Sequence, residues 1–312
     1  MREPGHDHLD HADAAALATR EGVRATWISL GGLGFTATLQ LAVFASSGSV
    51  ALLADTIHNF TDALTAVPLL IAFRLGTRPP NRRYPYGYHR AEDVAGLAIV
   101  LLILASAVVA AIEAIGRLIS PVAVTRAGWV LAAGAIGFVG NEVVARYRIG
   151  VGRKIGSAAL VADGMHARTD GLTSLGVMAS ALAVLGGIER ADPFVGVAIT
   201  LAIGVTLVRA ARVVLRRALD GIDETTIALI ETVAASVTGV EHVTDARARW
   251  SGHRLLADLK ISVDPALTVQ QGHDIANGVQ DSLLRDVPRL ADATVHVHPH
   301  EHDSHIGNGT PS

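Results

Sequence analysis

The feature that most constrains this chain is a series of six apolar windows, near residues 26–46, 50–73, 94–117, 128–146, 156–187 and 194–214. Each is long enough to cross about 30 Å of hydrocarbon. A backbone in lipid has no water to bond to, so such windows fold as helices that satisfy their own amides. The second and fifth windows are nevertheless interrupted by charge. SVALLADTIHNFTDALT carries Asp55, His58 and Asp62, and ALVADGMHARTDGLTS carries Asp163, His166 and Asp170, in one shared pattern, A-D-x-x-H-x-x-T-D-x-L.

Of the 312 residues, 50% are hydrophobic, 18% are charged and none is cysteine. That balance points to a membrane protein with a smaller polar portion, and any metal site must use His, Asp, Glu or water. The first 25 residues are polar and acidic, lack the basic-then-apolar order of a signal peptide, and read as a soluble tail. Six spans put both termini on one side. Arg74, Arg78, Arg82, Arg83 and Arg90 follow the second window, and Arg146, Arg148, Arg153 and Lys154 follow the fourth. The opposite connections hold only Arg117, Arg126 and Arg190. The positive-inside rule therefore predicts cytoplasmic basic loops and cytoplasmic termini, and Arg209, Arg212, Arg216 and Arg217 at the end of the sixth window agree.

Past Leu219 the periodicity changes. IDETTIALIETVAASV and TVQQGHDIANGVQDSLLRDV have helical spacing, VEHVTDARARWSG and HRLLADLKISVDP alternate as strands, and ATVHVHP closes as a short strand. The order α-β-β-α-β predicts one sheet with helices on one face. The chain thus divides into a tail at 1–25, a six-helix transmembrane domain at 26–217, a cytoplasmic α+β domain at 218–300 and a flexible His-containing tail at 301–312.

Positions i, i+3 and i+7 share a helix face, so each polar cluster forms one stripe. Ionised carboxylates in hydrocarbon cost several kcal/mol unless paired, hydrated or bound to a cation. A helix–helix clasp is one use for them, but polar contacts of that kind return only about 1 kcal/mol, little for six residues. The H-x-x-x-D pairs, His58 with Asp62 and His166 with Asp170, supply four N/O ligands, which matches the tetrahedral preference of Zn²⁺. Asp55 and Asp163, one turn away, are read as support behind the ligands or polar steps along an access route, with capping or hydration near a water-filled cleft as the alternative. Protons compete with metal for imidazole and carboxylate, so alternating exposure of such a site exchanges a cation for H⁺. The direction, out of the cytoplasm, follows the usual proton gradient.

The two clusters, together with RYPYGYHRAEDVAGL before the third window, resemble the signatures of the cation diffusion facilitator family over roughly residues 25–300. The resemblance implies a homodimer in a bilayer, expected to be a bacterial inner membrane, that exports Zn²⁺ by proton antiport with some tolerance of Cd²⁺. It implies His58, Asp62, His166 and Asp170 as transport ligands, and a ferredoxin-like cytoplasmic domain that serves dimerisation and metal sensing. Gly87 and Glu92 then set the entry from loop to helix. An extra loop site found in some members has no counterpart, since Asn81, Tyr84 and Tyr88 occupy the corresponding stretch, and His89 reads as a surface residue. In the cytoplasmic domain His273 and His296 match family ligands, His298 stands at an expected aspartate, and Thr244 and Lys260 replace two expected histidines. A weaker site of His273, His296 and His298 is the expectation. Zn²⁺ would then be both cargo and regulatory ligand, with no organic cofactor.

His6, His8 and His11 at the start, and His296, His298, His300, His302 and His305 at the end, either gather metal loosely or belong to soluble ends. Glu113 with Arg117 and Glu142 with Arg146 have the spacing of helical ion pairs. Gly31, Gly32, Gly34, Gly171 and Gly176 suggest close helix approach. No Walker-type loop is present and no aromatic array accompanies the arginines, so neither ATP hydrolysis nor nucleic-acid binding is expected. Two rival functions remain. An intramembrane zinc hydrolase would need metal-bound water and a general base, but there is no H-E-x-x-H. A metal-sensing partner that does not transport would have no need of two intact clusters.

Overall fold

Within the residues described by the computed structural model, 7–47, 66–119, 127–187 and 192–300, the apolar windows are helices. They are α1 (Asp7–Ser47), α2 (Ala66–Gly76), α3 (Ala91–Ile119), α4 (Ala127–Ile155), α5 (Ala158–Leu185) and α6 (Asp192–Ala218). Four stretches, Leu17–Val43, Ala91–Gly116, Ala127–Ile155 and Phe194–Ala218, are long and apolar enough to cross a bilayer. The 28 residues of α5 give it comparable length, but it carries Asp163, Arg168 and Asp170. The polar stripe of the second window, Asp55, His58 and Asp62, lies outside the described residues, as do residues 301–312. Phe35, Leu101, Ile112 and Leu201 are exposed on these helices, a distribution suited to lipid rather than water.

Two boundaries differ from the sequence reading. α1 begins at Asp7, inside the segment read as a tail, because DHADAAALATREGVRA is rich in strong helix formers. The connection after the fourth window is not a basic loop, since Arg146, Arg148, Arg153 and Lys154 all lie on α4. Only Gly156 and Ser157 separate α4 from α5. Gly156 has φ +78, the left-handed conformation that ends a helix at little steric cost. Ser157 Oγ accepts a hydrogen bond from the Leu160 amide at 3.0 Å and so caps α5.

The short junction folds α5 back along α4, and glycines let the two approach. A Cβ on Gly164 would meet Ile149 Cγ1 at 2.7 Å and both Ala145 O and Arg148 Cβ at 3.0 Å, while one on Gly137 would meet Ser174 Oγ at 2.7 Å. Gly176 packs against Ile199 of α6 in the same way, at 2.8 Å. In contrast to the sequence expectation, a Cβ on Gly31 or Gly34 would meet nothing within 4 Å. These two face outward on α1.

The chain falls into two compact units: this helical one, Ala16–Leu219 with Ser251–His253, and a second that contains Asp220–Trp250 and residues 254–300. The second unit has the predicted order: α7 (Glu224–Ala235), β1 (His242–Ser251), β2 (Arg254–Val263), α8 (Val269–Asp286) and β3 (Leu290–Pro299). The sheet order is β1-β2-β3. β2 runs parallel to β3, with Leu259 opposite Val295 and Ile261 opposite Val297, so the chain must cross over through α8. Alternate residues of β2, Leu255, Ala257, Leu259, Ile261 and Val263, share one core with Ile230 and Ala234 of α7 and Val279 and Leu283 of α8. α8 starts at a capping box in which the Gln271 amide donates to Thr268 Oγ1 at 3.3 Å and the Thr268 amide donates to Gln271 Oε1 at 2.9 Å.

The seam gives a direct test. Gly164→Ala should lower the unfolding free energy of the detergent-solubilised chain by about 1–3 kcal/mol through overpacking. Gly31→Ala should change it by less than about 0.5 kcal/mol. Denaturant unfolding followed by circular dichroism reads both.

Candidate metal centre

Asp163, His166 and Asp170 lie on one face of α5, and all three are buried. His166 is 2% exposed and Asp170 4%. His166 Nδ1 stands 3.9 Å from Asp170 Oδ1, too long for a hydrogen bond. Two ligands of one tetrahedral Zn²⁺ stand roughly 3.3 Å apart, given bonds near 2.0 Å, so a small side-chain rotation brings this pair to coordination distance. The stripe of Asp55, His58 and Asp62 that the sequence pairs with it lies outside the described residues.

Two arginines accompany the stripe, and α4 and α5 compensate both. Arg148, which the sequence reading placed in a basic loop, is 1% exposed on α4, with Nη1 3.0 Å from Oδ2 of Asp163. Arg168, between His166 and Asp170 in sequence but turned to another side of α5, donates from Nε to Glu142 Oε2 and from Nη2 to Glu142 Oε1, each at 3.1 Å. Arg146 donates to the same carboxylate at 2.8 Å, the i+4 pair that the spacing predicts. The two Arg168 bonds had no signal in the sequence, since their partner lies on the preceding helix. Asn141, beside Glu142, is 2% exposed, and its Nδ2 has no hydrogen-bond partner among the described residues.

The entry to α3 is also built from buried polar groups. Gly87 has φ +77, and Glu92, in the first turn of α3, is 3% exposed. Glu92 Oε2 lies 2.8 Å from Nδ1 of His253, a residue of the same helical unit, whose Nε2 lies 3.2 Å from Thr19 Oγ1. Nothing in the local pattern had marked His253. In the preceding loop Asn81 Nδ2 donates to Tyr88 Oη at 2.8 Å, and the Tyr84 and Tyr88 rings stand 4.6 Å apart. These residues form a small polar latch of their own.

In the second unit His296 and His298 stand together on β3, with ring centroids 4.4 Å apart. His273 does not join them. Val295 and Val297 are the β3 residues that pack on the core with α8, so the two histidines project from the opposite face, while His273 Nε2 lies 3.1 Å from Asn277 Nδ2 on α8. Among the described residues no group of three or more His, Asp or Glu side chains is placed to hold a metal.

Residues 26–217 match the family described as cation efflux transmembrane domain, and residues 222–300 match cation efflux protein, cytoplasmic domain. A probable cation efflux system protein of Mycobacterium tuberculosis is 52% identical over 301 residues, covering 96% of this chain and 91% of the relative. The manganese efflux system protein MneP of Bacillus subtilis is 27% identical over 260 residues, 81% of this chain and 87% of its own. The magnetosome protein MamB of Paramagnetospirillum magneticum is 24% identical over 275 residues, 85% of this chain and 92% of its own.

The two ion-pair sets should differ sharply in weight. Asp163→Asn leaves the buried Arg148 without its counter-charge and should cost about 3–5 kcal/mol. Glu142→Gln weakens contacts to partly exposed arginines and should cost less than about 1 kcal/mol. Thermal unfolding of the two detergent-solubilised variants measures the contrast, and equal shifts would contradict it.

Proposed function

The chain belongs to the cation diffusion facilitator family of cation efflux proteins, integral membrane transporters of divalent cations rather than enzymes, and from that premise we propose that it exports Zn²⁺ from the cytoplasm in exchange for H⁺. The observation that carries this reading is the buried His166–Asp170 pair, one helical turn apart in α5 with donor atoms 3.9 Å from each other. His58 and Asp62 of the matched second cluster complete a four-ligand site in six spans. Two carboxylates balance a divalent charge, and two imidazoles favour borderline ions such as Zn²⁺, with Cd²⁺ accepted. Protons loaded from the acidic side displace the metal, and alternating access converts this competition into antiport.

The surplus of basic residues at the ends of α4 and α6 favours a cytoplasmic face there and cytoplasmic termini. The cytoplasmic domain at 218–300 serves dimerisation, and His296 with His298 is a place in it for a regulatory metal. Asp55 stays a candidate for the access route. One relative's name, manganese efflux system protein, supports a second cargo reading, Mn²⁺. Mn²⁺ prefers oxygen ligands, so two histidines make it the poorer fit.

Reconstituted protein should move Zn²⁺ across vesicles when an opposing pH gradient is imposed, read with one dye for zinc and one for protons. Zinc-dependent proton flux should be absent in vesicles without protein and should exceed Mn²⁺-dependent flux. Asp62→Ala and Asp170→Ala should each reduce zinc flux by at least about a hundredfold while the chain stays folded. Full zinc flux in either folded variant would show that the ligands lie elsewhere, and flux without counter-movement of protons would refute antiport.

A further inference from the structure

Ligands and family leave Arg148 unexplained. A cation buried beside a cation site repels the cargo unless something cancels it, and here the cancelling group is a carboxylate from the cargo stripe itself. Arg148 Nη1 lies 3.0 Å from Asp163 Oδ2, with the two side chains 1% and 0% exposed. Asp163 precedes His166 by one turn on the same face, about 4.5 Å along the axis. Neither of its oxygens has a hydrogen-bond partner among the described residues, so the guanidinium holds it as an ion pair. The next residue is Gly164, whose missing side chain lets the stem of Arg148 lie on α5, since a Cβ there would stand 3.0 Å from Arg148 Cβ. The α4–α5 seam is therefore shaped to deliver a guanidinium to this one carboxylate.

We infer that Arg148 is a positioning residue of the metal centre: by holding Asp163 in a buried ion pair it keeps that carboxylate out of the cation's ligand shell. α5 then offers the cargo one imidazole and one carboxylate, not one imidazole and two carboxylates. With Asp62, the proposed centre carries two negative charges, which match a divalent ion. Release of Asp163 adds a third negative charge and another oxygen ligand, and an oxygen-richer shell favours harder ions such as Mn²⁺ over Zn²⁺. The pair thus sets cargo preference without touching cargo. The inference rests on His166 and Asp170 being cargo ligands, as proposed above.

The test uses the full chain, with Zn²⁺ and Mn²⁺ binding measured by calorimetry in detergent and apparent KM for both ions measured in vesicles. Arg148→Met frees Asp163 and should reduce the Zn²⁺/Mn²⁺ preference about tenfold, chiefly through a lower KM for Mn²⁺. Arg148→Gln keeps a hydrogen-bond donor but not the charge, and should shift the preference in the same direction if Arg148→Met does not fold. Arg148→Lys restores the charge and should keep the preference of the unmodified chain. Arg148→Met with Asp163→Leu removes both charges and should return it. A merely structural pair would change the amount of folded protein without changing the preference. An unchanged preference in folded Arg148→Met or Arg148→Gln, or a shift that persists in the double variant, would overturn the inference. If Asp170→Ala still binds zinc normally, the ligand assignment fails instead; if it loses zinc while the Arg148 variants keep their preference, only the inference fails.

Discussion

An ionisable group buried between apolar helices must be compensated where it stands, because neither water nor a mobile counter-ion is at hand. α5 carries Asp163, Arg168 and Asp170 with His166 among them. Its neighbour α4 answers two of these charges, with Arg148 for Asp163 and Glu142 for Arg168. The remaining pair, His166 and Asp170, is the one whose chemistry suits a metal.

That division of charge depends on packing. Guanidinium and carboxylate meet at 3.0 Å only because α4 and α5 approach closely over Gly137 and Gly164. Such close approach is how helices associate in lipid, where burial of apolar surface gives no net drive and van der Waals contact and small residues take its place. The second unit is held by the opposite logic, an apolar core between the alternating face of β2 and the helices α7 and α8. One chain therefore uses two different cohesive forces, each suited to its solvent.

Much of this was legible in the sequence, for identifiable reasons. The second unit follows from a period of two in DARARWSG and HRLLADLKIS and a period of 3.6 on either side, and the observed order is the predicted one. The α5 stripe follows from i, i+3, i+7 spacing, and the Glu142–Arg146 pair from i, i+4. What was not legible depends on contacts between helices. Arg148 reads as one of four basic residues in a loop because its partner is on the next helix, and Arg168 is overlooked between two stronger ligand candidates. His253 is unremarkable until Glu92 is seen beside it. The set of His273, His296 and His298 came from the family resemblance alone: strand periodicity joins only the last two, and the placement of the helix relative to the sheet had no sequence signal.

The two-residue junction at Gly156 and Ser157 has a further consequence, for the evolution of the chain. Gly156 supplies the left-handed reversal and Ser157 the cap of α5, so each of the two residues has a task of its own. Because α4 and α5 are packed against each other from this junction onward, a deletion between Ile155 and Ala158 would remove either the reversal or the cap and shift α5 against α4. His166 and Asp170 would then be displaced from their present neighbours on α4 although both stayed in place in the sequence. The length of this turn should accordingly be guarded by selection as strictly as the identity of the proposed ligands.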